Sequence, residues 1–304
     1  MKIFDCITYF DEPMMFDLRL KILNESVDEF IVCEALYTHS GEKKKINFNK
    51  NLYPEFKNRI THLVVEEEPE NLIPLEKNNN SLKYKELNRY SFRLNASKRI
   101  QKQRDAILNN FDEDNYNDWI IYSDSDEIPN LSKVNLKKIK NKIVFFKQNF
   151  FYYKFNLIYP NYDWYGSKAI KFKDIENIST LRNSKNKKYP WWRIDTIVNK
   201  YKFMNLKIIE DGGWHFTELK TPKEIFIKHK NDEHHDEFDL TGINESDIEK
   251  MISEKRIPYN HFIDKKEIKS KWNKSNKFYL EVANPKILPK QVIENKDFYK
   301  NWLV

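Results

Sequence analysis

Residues 119–129 read WIIYSDSDEIP, four large apolar residues running straight into three carboxylates within four positions. A short unbroken apolar run of this kind suits a strand buried on both faces of a sheet. Its acidic end matters because open α/β sheets bind ligands beyond the carboxyl ends of their strands. Asp124 and Asp126 are two residues apart, so an extended chain would point both side chains the same way. Carboxylates converging on one point repel unless a cation lies between them, and hard oxygen donors with open positions suit Mg²⁺ or Mn²⁺. The bland reading is a solvated acidic turn bent by Pro129. The placement, after a strand and before Ile-Pro, favours the metal.

Outward from this strand, the first half alternates strand and helix signals. Residues 2–8, 29–35 (EFIVCEA) and 60–65 (ITHLVV) are apolar and rich in Ile and Val, while 13–24 has helical spacing. A long helix is expected from about 91 to 109, with apolar positions at Phe92, Ala96, Ile100, Ile107 and Leu108. Residues 67–88, with EEEPEN and EKNNN, read as a mobile polar excursion. Strands alternating with helices argue for a parallel or mixed sheet covered on both faces. Residues 143–173 are aromatic and alternating, which predicts added antiparallel strands without a new domain. Helices are expected at 222–231 and 245–256, and the tail reads as a final wrapping segment. The expectation is one domain over 1–304, with two halves, 1–140 and 141–304.

Composition narrows the function classes. The 304 residues carry 53 Lys and Arg against 46 Asp and Glu, a net charge of +7. The cations are dispersed, without an arginine-rich stripe or nucleic-acid motif, so nucleic acid is not expected as a partner. Cys6 and Cys33 fall in strand-like apolar runs and read as buried thiols, which fits a reducing compartment. No apolar stretch approaches the ~18 residues of a membrane span. The chain is expected to be cytoplasmic.

Two further clusters attract attention. Residues 208–217 read IIEDGGWHFT, placing two of only five glycines together. Such a pair implies a tight turn or a close approach to a ligand. His215 could give a metal a nitrogen ligand or contact a phosphate, and the bland alternative is a histidine packed beside Trp214. Residues 231–239, NDEHHDEFD, lack metal-site spacing and read by default as a solvated acidic loop. Facing a cleft, Glu237 would be a candidate general base.

Taken in order, these stretches resemble glycosyltransferase family 17, the family of β-1,4-mannosyl-glycoprotein β-1,4-N-acetylglucosaminyltransferase. The likeness is carried by CITYFDEPMMFDLRLKIL, EFIVCEALYTHSGE, KQRDAI at 102–107, WIIYSDSDEIP, WYGSKAIKF with TLRN, GGWHFT, TPKEIFIKHK, HDEFD and LPKQVIENKDFY. It implies a GT-A-like fold, a Rossmann-type mixed sheet flanked by helices with extra antiparallel strands and a C-terminal helical segment. It also implies a nucleotide-sugar donor, UDP-N-acetylglucosamine first, a divalent metal, and inversion at the anomeric carbon. Asp124 and Asp126 match the family's D-x-D, and His215 the histidine of the glycine loop, which makes these three the expected metal ligands. Glu12, Glu34, Gln103, Arg104, Lys168 and Arg182 stand in matching motifs and, with Asp124 and Trp214, suit contacts to base, ribose or diphosphate. Animal members carry a membrane anchor and a lumenal cysteine-bearing domain. Without them, a surface-glycan or lipopolysaccharide-type acceptor is expected ahead of a protein N-glycan. The expected base is Glu237, then Asp211, with Glu127 in a supporting role. The rival readings are a metal-dependent phosphoesterase or nucleotidyltransferase, which leaves GGWHF unexplained, and a carbohydrate-binding protein, which leaves the acidic cluster idle.

Overall fold

The chain is described by a computed structural model over residues 1–190, 192–232, 235–262 and 278–304. In order, the elements are β1 (Ile3–Tyr9), α1 (Pro13–Leu23), β2 (Glu29–Ala35), β3 (Ile60–Val65), α2 (Ser81–Asp105), β4 (Trp119–Asp124) and β5 (Glu127–Pro129). Then come β6 (Ile143–Phe146), β7 (Asn149–Tyr152), β8 (Leu157–Ile158), β9 (Lys168–Lys171), α3 (Ile178–Asn183), α4 (Asp195–Val198), β10 (Leu206–Ile209) and β11 (Gly213–Thr217). The last are α5 (Pro222–Asn231), α6 (His235–Thr241), α7 (Glu245–Ser253), β12 (Arg256–Ile257), β13 (Phe278–Tyr279), β14 (Glu281–Val282) and α8 (Lys290–Glu294).

Among the described residues, the main sheet runs β10-β6-β9-β4-β1-β2-β3. The β4-β1-β2-β3 half is parallel, and β9 inserts antiparallel between β4 and β6. Alternation along β4 and β1 splits the apolar side chains between two cores. Trp119, Ile121, Ile3 and Ile7 pack on one face with α1 and the C-terminal Val292 and Tyr299. Ile120, Tyr122, Phe4 and Cys6 pack on the other with Ile107 and with Ile178 and Leu181 of α3. A strand clamped between two apolar layers needs no polar face, which is why WIIY is continuous. Both cysteines are buried free thiols.

The aromatic stretch 143–173 does not form one antiparallel block. Its β6 and β9 belong to the main sheet, while β7 and β8 enter a second sheet, β14-β8-β7-β11-β5. In that sheet β7 and β11 are parallel and β11 and β5 antiparallel.

The polar excursion expected at 67–88 is corrected. Helix α2 begins at Ser81, with the Asn80 side chain accepting from Lys83 N at 3.0 Å. Buried Asn88 exchanges two hydrogen bonds with the backbone of Glu76, and Asn95 does the same with Ile73. Side-chain amides thus satisfy backbone groups of a segment that pairs with no strand among the described residues. The α-helix stops at Asp105 and tightens to a 3₁₀ turn over Ala106–Asn110. Helix α7 likewise ends at Ser253, short of the expected 256, because Arg256–Ile257 pair with β13. No helix among the described residues is long and apolar enough to cross a membrane.

Candidate active site

The carboxyl ends of β1, β2 and β4 open onto one cleft of about 300 Å³. Thr8 of β1 stands in register with Asp124 of β4, so the acidic strand end and the end of β1 face the same space. Tyr37, Thr38 and His39 follow β2 on the rim, and Gln103 and Arg104 of α2 line the side.

Asp124 and Asp126 do not converge. Strand β4 ends at Asp124, and Ser125-Asp126 form the turn into β5, so the pleat no longer directs Asp126. Asp124 takes Arg182 Nη2 at 2.6 Å, Arg104 Nη2 at 3.1 Å and the Tyr122 hydroxyl at 3.0 Å. Burial opposes its ionisation, but Arg182 and then Arg104 outweigh it and hold the carboxyl well below its ordinary range. Asp126 instead lies 3.4 Å from His215 Nε2 and 3.5 Å from Lys228 Nζ. Burial would raise it too; His215 and Lys228 prevail and lower it.

Beneath this pair sits Glu127, fully buried. It accepts from Arg182 Nη1 at 3.0 Å and Nη2 at 2.8 Å, from Trp164 Nε1 at 2.6 Å and from Asp124 N at 3.0 Å. A carboxylate with every lone pair engaged is a strut, not a proton acceptor. Gly166 faces it: a Cβ there would overlap all three carboxyl atoms of Glu127.

His215 reaches the cleft by strand alternation. On β11, Trp214 and Phe216 join the core beside α1, while His215 and Thr217 line the cleft. The imidazole lies between Trp164, stacked at 4.8 Å, and Phe150 at 4.5 Å, and its Nδ1 has no hydrogen-bond partner among the described residues. The glycine pair serves strand packing. A Cβ on Gly212 would come within 2.6 Å of Ile209 O, and Gly213 has φ +135° against the backbone of Ile128.

Two cleft residues escape a reading of the sequence. Glu218 follows β11 in the left-handed region, φ 59°, where a non-glycine residue is strained. It is buried, lines the cleft, and has Oε2 without a hydrogen-bond partner among the described residues. Lys228 lies 3.4 Å from Glu218 Oε1 and so bridges Glu218 and Asp126. Burial would discharge this amine, yet Glu218 and Asp126 raise it above the ordinary lysine value. Helix α5, started by a Thr221–Glu224 capping box, anchors Ile225 in the core and so aims Lys228, three residues on, at the cleft. The available signal was Glu218 directly after the His215 strand, and Lys228 at helical spacing from Ile225.

Of the other expected residues, Glu12, Gln103, Arg104 and Arg182 line the cleft. Glu34, Lys168, Trp214, Glu237 and Asp211 do not. Glu34 is fully buried, paired with Lys44 and accepting from Asn47 N at 2.7 Å and Phe48 N at 3.0 Å, so it pins the loop after β2. Lys168 donates to the carbonyls of Arg182 and Ser184. Burial, then Arg182, pushes its amine well below the usual value, as fits a support for Arg182. Trp214 Nε1 donates to Ile287 O at 2.6 Å on the far side of β11. Glu237, on α6, is buried against Arg93 and near Arg89 of α2. Asp211 is an exposed turn residue beside a separate groove with Asn130 and Lys286. In the run NDEHHDEFD, Glu233 and His234 lie outside the described residues. Among the described residues, no three His, Cys, Asp or Glu side chains are grouped to hold a metal.

The sequence model of glycosyltransferase family 17 matches residues 1–304. No curated protein matches the chain. Solved structures do, among them the crystal structure of HddC from Yersinia pseudotuberculosis. That match is 9% identical over 71% of this chain and 91% of the other, with a TM-score of 0.32, too slight to carry chemistry across.

Proposed function

The chain belongs to glycosyltransferase family 17, and from that membership we propose that it moves a sugar from a UDP-sugar to a hydroxyl of a glycan acceptor. N-acetylglucosamine is the sugar the family likeness puts first, with inversion at the anomeric carbon on a GT-A scaffold. One observation carries the reading. A single cleft at the strand ends holds Asp126 with His215, two arginines, and a buried carboxylate, Glu218, whose Oε2 has no hydrogen bond among the described residues and lies 3.7 Å from His229 Nε2.

The metal expected from Asp124, Asp126 and His215 has a reduced set of donors here. Asp126 and His215 are adjacent, whereas both oxygens of Asp124 are held by Arg104, Arg182 and Tyr122. Mg²⁺-like ions keep water and phosphate oxygens and are held by as few as one or two carboxylates, so Asp126 is the residue that would hold such an ion, with His215 beside it. Bound there, Mn²⁺ or Mg²⁺ would offset the charge that develops on the departing diphosphate. Arg104 and Arg182, fixed by Asp124 and Glu127, add positive potential on the same wall. We assign proton removal from the acceptor hydroxyl to Glu218 in place of Glu237 and Asp211, because it alone of the three lines the cleft. Lys228 lies between Glu218 and Asp126 and holds the two carboxylates in place.

The test is UDP release from a panel of UDP-sugars with Mn²⁺, with and without glycan acceptors. Asp126→Ala is expected to abolish metal-dependent UDP binding by calorimetry while the fold survives. Absence of UDP release from every sugar nucleotide would falsify the transferase reading, and unchanged binding would remove Asp126 from the metal.

A further inference from the structure

Residues 184–202, SKNKKYPWWRIDTIVNKYK, take no part in the cleft yet leave from its rim. Arg182, a cleft residue, lies near the end of α3. Two residues on, Lys168 Nζ donates to Ser184 O at 3.0 Å, and Lys185 N donates to Tyr201 O at 2.7 Å, closing the loop at its base. Within it Trp192, Ile194 and Val198 are 63%, 76% and 84% exposed. Among the described residues no other seven-residue stretch holds three large apolar side chains so exposed. Ile194 has helical backbone, φ −58° and ψ −31°, and caps the short α4 that ends at Val198. Four residues apart on one turn, the two aliphatic side chains lie on the same side.

The same loop carries Lys185, Lys187, Lys188, Arg193, Lys200 and Lys202 against one carboxylate, Asp195. Asp195 is answered by Arg193 and Lys202, and Lys200 by Glu176. Lys185, Lys187 and Lys188 are exposed and have no salt-bridge partner among the described residues. Exposed Trp and aliphatic side chains beside uncompensated lysines match the boundary of an anionic bilayer. The apolar groups enter the headgroup–acyl region while ammonium groups meet lipid phosphates. Nucleic acid would attract the lysines and stack on Trp192, but Ile194 and Val198 offer a base or phosphate nothing.

We infer that loop 185–201 is a membrane-contact element that seats this enzyme on an anionic lipid surface and holds the cleft rim beside it. The inference stands apart from the assignment of donor and metal. Its test is co-sedimentation of the full chain with phosphatidylcholine vesicles, alone or containing phosphatidylglycerol, at low and high salt. Binding is expected only with phosphatidylglycerol, weakening as salt rises. Trp192→Ser with Ile194→Ser and Val198→Ser should lower partitioning about tenfold or more. Lys185→Glu with Lys187→Glu and Lys188→Glu should do the same and abolish the salt dependence. All six side chains are exposed in the fold, and matched thermal melts confirm that each variant is folded. No sedimentation of the parent with phosphatidylglycerol vesicles at low salt overturns the inference, as does binding that the apolar triple leaves unchanged. Tighter retention by a DNA duplex than by vesicles, insensitive to the apolar triple, would also overturn it in favour of a nucleic-acid contact.

Discussion

Gly166→Ala adds one methyl group at the most constrained point of the site. The new Cβ would stand more than about 1 Å inside the ~3.5 Å contact distance to Cδ, Oε1 and Oε2 of Glu127. Glu127 has nowhere to retreat, because four hydrogen bonds of 2.6 to 3.0 Å from Arg182, Trp164 and the Asp124 backbone fix it. Moving the carboxyl by about 1 Å takes such bonds out of range. Losing two charge-assisted bonds would cost roughly 3–6 kcal/mol. Shifting the Gly166 backbone instead is an overpacking strain of about 1–3 kcal/mol. The cheaper route prevails, so the expected destabilisation is about 2–3 kcal/mol, a fall in Tm of roughly 3–5 °C. Either route disturbs Arg182 and hence Asp124, so UDP binding by calorimetry should weaken as well. Glu127→Ala removes the obstacle. In that background Gly166→Ala should cost less than about 0.5 kcal/mol, a coupling of about 2 kcal/mol in urea unfolding. Equal costs in both backgrounds would refute the reasoning.

The buried pair beneath the site makes a second prediction. Arg19 donates to Asp5 at 2.5 and 2.7 Å and to Glu127 O at 2.5 Å, and neither side chain is more than 1% exposed. Arg19→Met alone should destabilise by about 3–5 kcal/mol by stranding Asp5, and adding Asp5→Leu should recover most of it; a double variant as unstable as the sum of its singles would contradict this. A third concerns acid. Burial, with His215 beside it, pushes His261 down from 6.5 to about 3. The unfolded chain therefore binds the extra proton between those values, so stability rises with pH across that window and is lost on acidification. From about pH 7.5 to about pH 5.5 this group alone should remove roughly 1 kcal/mol, and an unchanged pH dependence of Tm in His261→Phe would assign the loss elsewhere.

Much of the scaffold was legible. Apolar runs and helical spacing located β1, α1, β2, β3, β4 and α5, because buried strands and amphipathic helices write their periods into the sequence. The 67–88 segment was misread because Asn88 and Asn95, polar by composition, act as internal partners for backbone. The site was legible in part. The strand end carrying Asp124 and the glycine-led strand carrying His215 announced themselves, since both are local patterns. Glu237 drew attention by sitting in an acidic run, yet α6 turns it toward Arg93. Glu218 directly after β11 and Lys228 inside TPKEIFIKHK gave only a faint signal, and packing shows that both line the cleft.

Sequence alone was sufficient for the family, the α/β class and the location of the acidic strand end, all consequences of residue order within single elements. Tertiary structure decided which cation answers which carboxylate. Strand β4 ends at Asp124, so the pleat hands that residue to Arg104 and Arg182, while the turn and β11 hand Asp126 to His215 and Lys228. Those partners are 20, 58, 89 and 102 residues away in the chain, and electrostatic pairing acts on distance in space, which no local pattern records.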